Sequence, residues 1–558
     1  MDVQQQGKTT PTVAEQDDDW YEHGFAKVAG SSKRGVASMP ASAAQTLLKW
    51  AGYVSSADLA GKLVLDPACG SGNALLAATQ ALAARGRVRR WGAERVAQEI
   101  ERCIWGLDPD PIACNVTEMR LRRLISHVIP DLPAARRKTM QLHIHQMDSL
   151  SLPADARYHV VITNPPLATA RGVVVSYSGF ESKTPPKDVW LRFLEQSLRL
   201  VAYGGALAIA LPEALLAKPS AATIRAELLQ EWSIEHLAQL TGVFRSGSGT
   251  VMLLLRRNDP APTATVQWER IERISVTKKA AIQPPSVSGE PTAKPTRGGR
   301  AERRMTGTIP QSQLAATPKG VWRYALGGAE ASFVARMQQP TGTLGRAKLS
   351  DLVTLMRGAE LTKDAPEPTT EPVAGSIALL RGIDVTAFAA RDGRQWLART
   401  ALKTAPDGWR GPKVVLQRGT ASISAAIDLS GAVPVSALLT LTATLHDAAP
   451  ENTLLWLLAL LNSRPLRAYL ALIQTGYVLA RPSIDLDALR GLPIALSPLD
   501  VRQRLVGLAS ELTRHALNAD ATPDDAISQR LLATLDREVI ALYNLTPEDL
   551  AVIARWQL

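Results

Sequence analysis

Cysteine is scarce in this chain: three in 558 residues, Cys69, Cys103 and Cys114, with no CxxC pair and no histidine at metal-ligand spacing. That scarcity excludes a disulfide framework and a structural zinc site. Long apolar runs are missing too. None reaches the ~18 residues a bilayer-spanning helix needs, and the N-terminal MDVQQQGKTTPTVAEQDDDW lacks the apolar core of a secretion signal. The sequence therefore reads as cytoplasmic, with no membrane partner. Acidic residues are in deficit, 52 against 63 Lys and Arg, which leaves a formal net charge of +11. Such an excess concentrates polyanions near the surface, so nucleic acid is the first partner to consider, although a solvated basic surface accounts for the charge equally well. At 558 residues the chain is too long for one core, and two or three domains are expected.

Residues 1–32 are polar and read as a flexible N-terminus. An amphipathic helical pattern from Ala41 to Val54 leads into alternating short apolar runs and helical stretches. Leu63–Leu65, Ile104–Leu107, Leu142–Ile144, Val160–Ile162 and Leu207–Leu211 read as buried strands, separated by helical segments such as Ala74–Ala84 and Trp190–Val201. That alternation predicts an α/β domain over residues 33–275, a mostly parallel sheet with helices on both faces. The stretch VTKKAAIQPPSVSGEPTAKPTRGGRAERRM carries seven basic and two acidic residues interrupted by Pro and Gly. Residues 276–320 are therefore expected to be a basic linker, with tracking of phosphates as the second reading. Short strand-like runs (Ile377–Leu380, Lys413–Gln417) and the apolar helix Leu454–Leu461 follow in a second, α+β region, 321–500, and residues 501–558 read as helical.

The most informative string is KLVLDPACGSGNALLAA. A strand ending in Asp66 enters a turn, Gly70-Ser71-Gly72, that opens a helix near Asn73. Glycine lets backbone approach a ligand closely, and a helix N-terminus favours a carboxylate. A second strand, CIWGLDPD, ends in Asp108, where a carboxylate can accept two ribose hydroxyls. Asp148, in HQMDSL, follows the third strand. Each acid alone reads as a surface or capping residue; their order at successive strand ends argues for a cofactor site. After the strand HVVIT comes Asn164-Pro165-Pro166-Leu167.

DPACGSGN followed by NPP resembles the class I methyltransferases, specifically the adenine-N6 DNA methyltransferases of restriction-modification systems. The resemblance implies a Rossmann-like fold and S-adenosylmethionine as cofactor, with no metal. It assigns Pro40, Asp66, Ala68, Gly70, Gly72, Asp108, Asp148 and Asn164 to the cofactor, Asp148 toward its adenine. Ser38-Met39-Pro40 partly matches the family's element before the glycine turn. The chemistry of NPP is direct. An aromatic amine is a poor nucleophile, and two acceptors, the Asn164 side-chain oxygen and the Pro165 carbonyl, would free its lone pair. Consecutive prolines hold such acceptors in place. Asn164, Pro165, Pro166 and Leu167 are thus the candidate catalytic set. The family has an aromatic ring where Leu167 stands, stacking on the flipped base; Tyr177 or Phe180 are candidates to replace it. The departure also keeps open a non-catalytic DNA-binding subunit with a degenerate fold, while NPP-type sites also serve protein and RNA methyltransferases.

In the C-terminal half, LSDLVTLMRGAEL, LLRGIDV, GPKVVLQRG, LLWLLALLNSRPLRAYL and IDLDALRGLPIAL occur in that order and resemble specificity domains of type I and fused restriction-modification systems. The resemblance implies a target-recognition domain reading double-stranded DNA, with Arg357, Arg381, Lys413 and Arg418 as candidate DNA contacts. No nuclease motif is evident, so cleavage would belong to a separate partner subunit.

Overall fold

The computed structural model describes residues 39–153, 157–166, 188–240, 249–275, 300–314, 320–339, 345–391, 395–403, 409, 411–419, 422–444, 449–474, 484–518 and 525–556. The chain divides into two compact units, Met1–Tyr324 and Ala325–Leu558.

Unit one begins with α1 (Ala41–Trp50), β1 (Val64–Asp66), α2 (Asn73–Val88), α3 (Ala93–Cys103), β2 (Ile104–Asp108), α4 (Pro111–Val128), α5 (Ala134–Thr139), β3 (His143–Gln146) and β4 (Tyr158–Thr163). It continues with α6 (Val189–Leu200), β5 (Val201–Pro212), α7 (Ala222–Glu231), β6 (Ser233–Leu240), β7 (Thr250–Arg256), β8 (Thr265–Ser275) and β9 (Arg300–Pro310). One nine-stranded sheet runs in the order β3-β2-β1-β4-β5-β7-β6-β8-β9. β3, β2, β1, β4 and β5 are parallel, and β7 runs antiparallel between β5 and β6.

β1, β2, β4 and β5 are present because each holds an apolar run largely buried on both faces, whereas β3, the edge strand, is half-buried to exposed. Val64, Val160, Ile162, Ala206, Ala208 and Ala210 share one core with Ala44, Leu47, Leu75, Leu82, Ile100 and Leu121 of the helices α1 to α4. Leu65, Val161, Leu207 and Ile209 point the other way and are fully buried too. Alanines on one side of β5 let α1 approach closely; Leu and Ile fill the other. The first turn of α4 is fixed locally: Asp110 accepts the Ile112 N–H at 2.9 Å and Pro111 takes the first helical position.

Two expectations are corrected. The strand expected at Leu207–Leu211 is longer: β5 begins at Val201 and takes in Gly204-Gly205, where the pairing with β4 shifts register between Tyr158 and Val160. Gly204 has φ +75°, and a Cβ on Gly205 would sit 2.9 Å from the His159 carbonyl. The expected 276–320 linker is not linker throughout, because Arg300–Pro310 pairs along the whole of β8. Its alternation is masked by charge and by Gly307, where a Cβ would strike the Trp268 ring at 2.6 Å. Residues 1–38 and 276–299 lie outside the described residues.

Unit two comprises α8 (Ala329–Gln338), β10 (Arg346–Lys348), α9 (Leu349–Leu352), β11 (Val353–Arg357), β12 (Ser376–Leu380), β13 (Phe388–Ala389), β14 (Gln395–Ala398), β15 (Lys413–Gln417), β16 (Ala425–Asp428), β17 (Val433–Pro434) and β18 (Leu438–Ala443). Then come α10 (Pro450–Asn462), α11 (Arg464–Ile473), α12 (Leu486–Arg490), β19 (Pro493–Ala495), α13 (Leu499–Leu517), α14 (Ala526–Leu542) and α15 (Pro547–Arg555). A five-stranded sheet, β11-β18-β15-β16-β13, stands beside a three-stranded one, β14-β12-β17. Almost every residue of α10 is buried, as its all-round apolar sequence requires. Among the described residues no helix is long and apolar enough to cross a membrane.

Candidate cofactor, catalytic and DNA-reading sites

Parallel strands set the site. Asp66, Asp108 and Asn164 end or follow β1, β2 and β4, and Asp148 follows β3 by two residues, so all four stand at the carboxyl edge of neighbouring strands. Strand order reverses between β1 and β4, the crevice where open α/β sheets bind ligands.

The glycine turn is held in shape by the protein's own groups. Gly70 has φ +54° and Gly72 φ +86°, a region open to glycine at little cost. A Cβ on Gly72 would lie 2.8 Å from the Thr117 side chain, whereas Gly70 faces open space and requires glycine for its backbone alone. Cys69 N–H donates to the Leu107 carbonyl at 2.9 Å, and Gly70 N–H to Asp108 Oδ2 at 3.0 Å. From α4, Thr117 Oγ1 donates to the Gly70 carbonyl at 2.8 Å, and Arg120 donates to the Ser71 carbonyl and to Asn73 Oδ1. Asn73 Nδ2 reaches the Met39 carbonyl at 2.7 Å, which brings Met39-Pro40 against the turn. Thr117, Arg120 and Asn73 were missed in the sequence. The only signal was that Thr117 and Arg120 are three apart on one helix, hence on one face.

Asp66 is buried and accepts the Ala68 N–H at 3.0 Å. Burial pushes its carboxyl up to about 7, outweighing the Ala68 N–H and the Thr163 hydroxyl, which favour ionisation; the Asp108 charge raises it further. Asp108 accepts from Gly70 N–H and, through Oδ1, from Asp110 N–H at 2.9 Å, and burial raises its carboxyl as well. Asp148 accepts the Leu150 N–H at 3.0 Å and caps a short helical turn, the capping role open to it from sequence. Asn164 follows buried Thr163, and its Oδ1 is shielded from solvent. Pro165 and Pro166 are described; Leu167, Tyr177 and Phe180 lie outside the described residues.

In unit two, register gathers three of the four candidate DNA contacts. Arg357 ends β11 opposite Leu439 of β18, which pairs with Leu416 of β15; Arg418 N–H donates to the Ala437 carbonyl at 3.0 Å. Val435 N–H donates to the carbonyl of Leu380, the residue before Arg381, and Ala359 bridges Val435. Arg357, Arg381 and Arg418 thus meet at one end of the sheet. Lys413 is a correction. It begins β15 at the far end, is fully buried, and its Nζ contacts Asp428 at 2.5 Å and the Trp409 carbonyl at 2.6 Å. A fully buried lysine whose charge is met by a buried carboxylate cannot reach a phosphate. Converting the pair together (Lys413→Met with Asp428→Asn) should leave DNA affinity and its salt dependence unchanged. Arg418→Ala should reduce the slope of log affinity against log salt by about 1. Fluorescence titrations at several salt concentrations check both.

Residues 19–280 match the family model described as N-6 DNA Methylase. Among solved structures, the type IIL restriction-modification enzyme MmeI, in complex with DNA, aligns with 97% of this chain and 77% of its own at 11% identity, TM-score 0.54. The type IIG restriction endonuclease BpuSI aligns with 93% and 68% at 14% identity, TM-score 0.43. The M protein of the type I enzyme EcoKI aligns with 42% and 49% at 20% identity, TM-score 0.32, so the chain spans about half the length of that protein. At 11% identity the likeness to MmeI concerns the fold alone. Motif, strand order and family match coincide on unit one, and residues 19–280 are similar to the N-6 DNA methylase family.

Proposed function

We propose that the chain is a site-specific, S-adenosylmethionine-dependent DNA methyltransferase acting on the exocyclic amine of adenine within a restriction-modification or phage-defence system. The observation that carries this reading is the placing of three carboxylates and Asn164-Pro165-Pro166 along one carboxyl edge, beside a glycine turn already held in shape. The residues fit the cofactor. Two buried carboxylates beside an open glycine backbone want a ligand that brings a cation and hydroxyl donors. Asp66 would favour the amino acid ammonium, and the second lone pairs of Asp108 the ribose hydroxyls. Asp148 would face the adenine, as its family counterpart does, and the N-terminus of α2 the carboxylate. When bound, the cofactor supplies an electrophilic methyl group on a sulfonium.

The chain's own part is positioning. The target adenine must leave the duplex to reach the edge, because stacking hides its amine. Asn164 Oδ1 and the Pro165 carbonyl then accept the two amine hydrogens, turn the nitrogen lone pair outward, and hold the nitrogen in line with the methyl group. Unit two, with its arginine-bearing end, supplies sequence reading, and a separate nuclease subunit supplies any cleavage. Sequencing host DNA with modified-base detection, with and without the gene, tests the reading. A methylated adenine in one short sequence, lost with the gene, supports it; specific DNA binding without methylation favours the degenerate subunit.

Leu167 carries a further expectation. Base–aromatic stacking contributes ~1–3 kcal/mol, so Leu167→Tyr should raise kcat/KM on duplex DNA by about tenfold. An unchanged value would point to Tyr177 or Phe180 as the ring already in use, to be checked by Tyr177→Ala and Phe180→Ala.

A further inference from the structure

A single exposed apolar residue is ordinary on a protein surface. Ile383 differs in where it stands and how it is held. At 79% exposure it is the most exposed large hydrophobic side chain among the described residues. It sits at the tip of the short helical turn Gly382–Asp384, between β12 and β13, beside Arg381. The turn is clamped from several sides. Gln417 Nε2 donates to the Gly382 and Val385 carbonyls, both at 2.5 Å. Asp384 accepts the Arg381 N–H at 2.8 Å and pairs with its guanidinium, and Arg391 N–H donates to the Asp384 carbonyl at 2.8 Å. Gln417 precedes Arg418 and pairs with Leu438, whose carbonyl accepts from the Gly358 N–H next to Arg357. A rigid turn therefore presents a β-branched side chain to water at the end of the sheet where three arginines gather.

The cations select the occupant: a polyanion held by phosphate contacts brings base edges, not an apolar protein face, over this turn. The apolar feature of a base edge in the major groove is the thymine methyl group. Resting on the reading of unit two as the DNA-reading part, we propose that Ile383 reads sequence by contact with a thymine methyl in the recognised duplex. Its stiff χ1 and clamped backbone leave little entropy to lose on contact. The arginines supply salt-dependent affinity; Ile383 supplies discrimination.

The test uses the full chain and the duplex sequence read from modified-base sequencing, with each thymine replaced in turn by uracil, which lacks only the methyl. At one thymine, uracil should weaken wild-type binding by about three- to tenfold, as expected for burying one or two carbon groups. Ile383→Ala should lose a similar factor on the thymine duplex and nothing further on the uracil duplex, with unchanged salt dependence and unchanged affinity for unrelated DNA; Ile383→Val should retain most of the preference. Uracil penalties equal in wild type and Ile383→Ala, or an Ile383→Ala variant that binds the site as tightly as wild type, overturn the inference while leaving the DNA-reading role intact. A wild-type chain with no preferred sequence removes that role and the inference together.

Discussion

Asn164→Ala is expected to slow methyl transfer by about 10²–10³-fold, the usual cost of removing one preorganised polar group aimed at the reacting centre, with cofactor affinity changed only a few-fold. The expectation follows from where the side chain stands. Thr163, at the end of β4, is fully buried between β1 and β5, so the backbone entering Asn164 is fixed by the sheet. Pro165 and Pro166 fix the backbone leaving it. Oδ1 is shielded from solvent, so its attraction for an amine hydrogen is not diluted by water. As the amine nitrogen attacks, positive charge develops on it, and an acceptor in place gains strength in the transition state over the ground state. Single-turnover transfer of labelled methyl to the identified duplex, together with calorimetry of cofactor binding, separates the two quantities. Wild-type turnover in Asn164→Ala would place the chemistry elsewhere.

Much of unit one was legible because a parallel strand covered on both faces is a short apolar run, and its functional residue ends it or comes directly after it. VLD, IWGLD and VVIT, the last followed by Asn164, show this without any tertiary knowledge. What the sequence hides is set by partners distant in the chain. Nothing near Lys413 indicates that Asp428 will neutralise it inside the protein, so a lysine opening a strand reads as a surface charge. β9 escaped because an edge strand carries charge, and because Gly307 leaves room for Trp268 instead of filling the alternation. Arg120 and Thr117 look like ordinary helix residues until the fold brings them to the glycine turn. Gln417 gave no signal at all. A side chain that clamps two carbonyls more than thirty residues away is visible only once the strands are paired.

Cofactor affinity should depend on pH through Asp66, which also couples folding to pH with a sign opposite to that of an ion-paired surface carboxylate. In the free protein burial raises this carboxyl to about 7, against ~3.9 in an unfolded chain. With the folded value above the unfolded one, the group's contribution to stability is fully present below about pH 4 and is lost as pH rises through about 7. Three pH units correspond to about a thousandfold in the folding equilibrium, and the raised Asp108 acts with the same sign. That cost is what a cationic ligand relieves. Binding a cofactor ammonium favours the ionised carboxylate, so below pH 7 the proton must leave first. Affinity should then fall by nearly tenfold per pH unit below 7 and level off above it, with about one proton released on binding at pH 6. Calorimetry in buffers of different ionisation enthalpy measures both. Asp66→Asn keeps the shape and the hydrogen bond acceptor for the Ala68 N–H but cannot ionise. It should bind cofactor weakly at every pH, release no proton at this position, and melt no lower than wild type at pH 8, where the wild type carries the buried charge. An affinity that stays flat from pH 5.5 to 8, or an Asp66→Asn variant that binds as the wild type does, would show that Asp66 plays no part in holding the ligand.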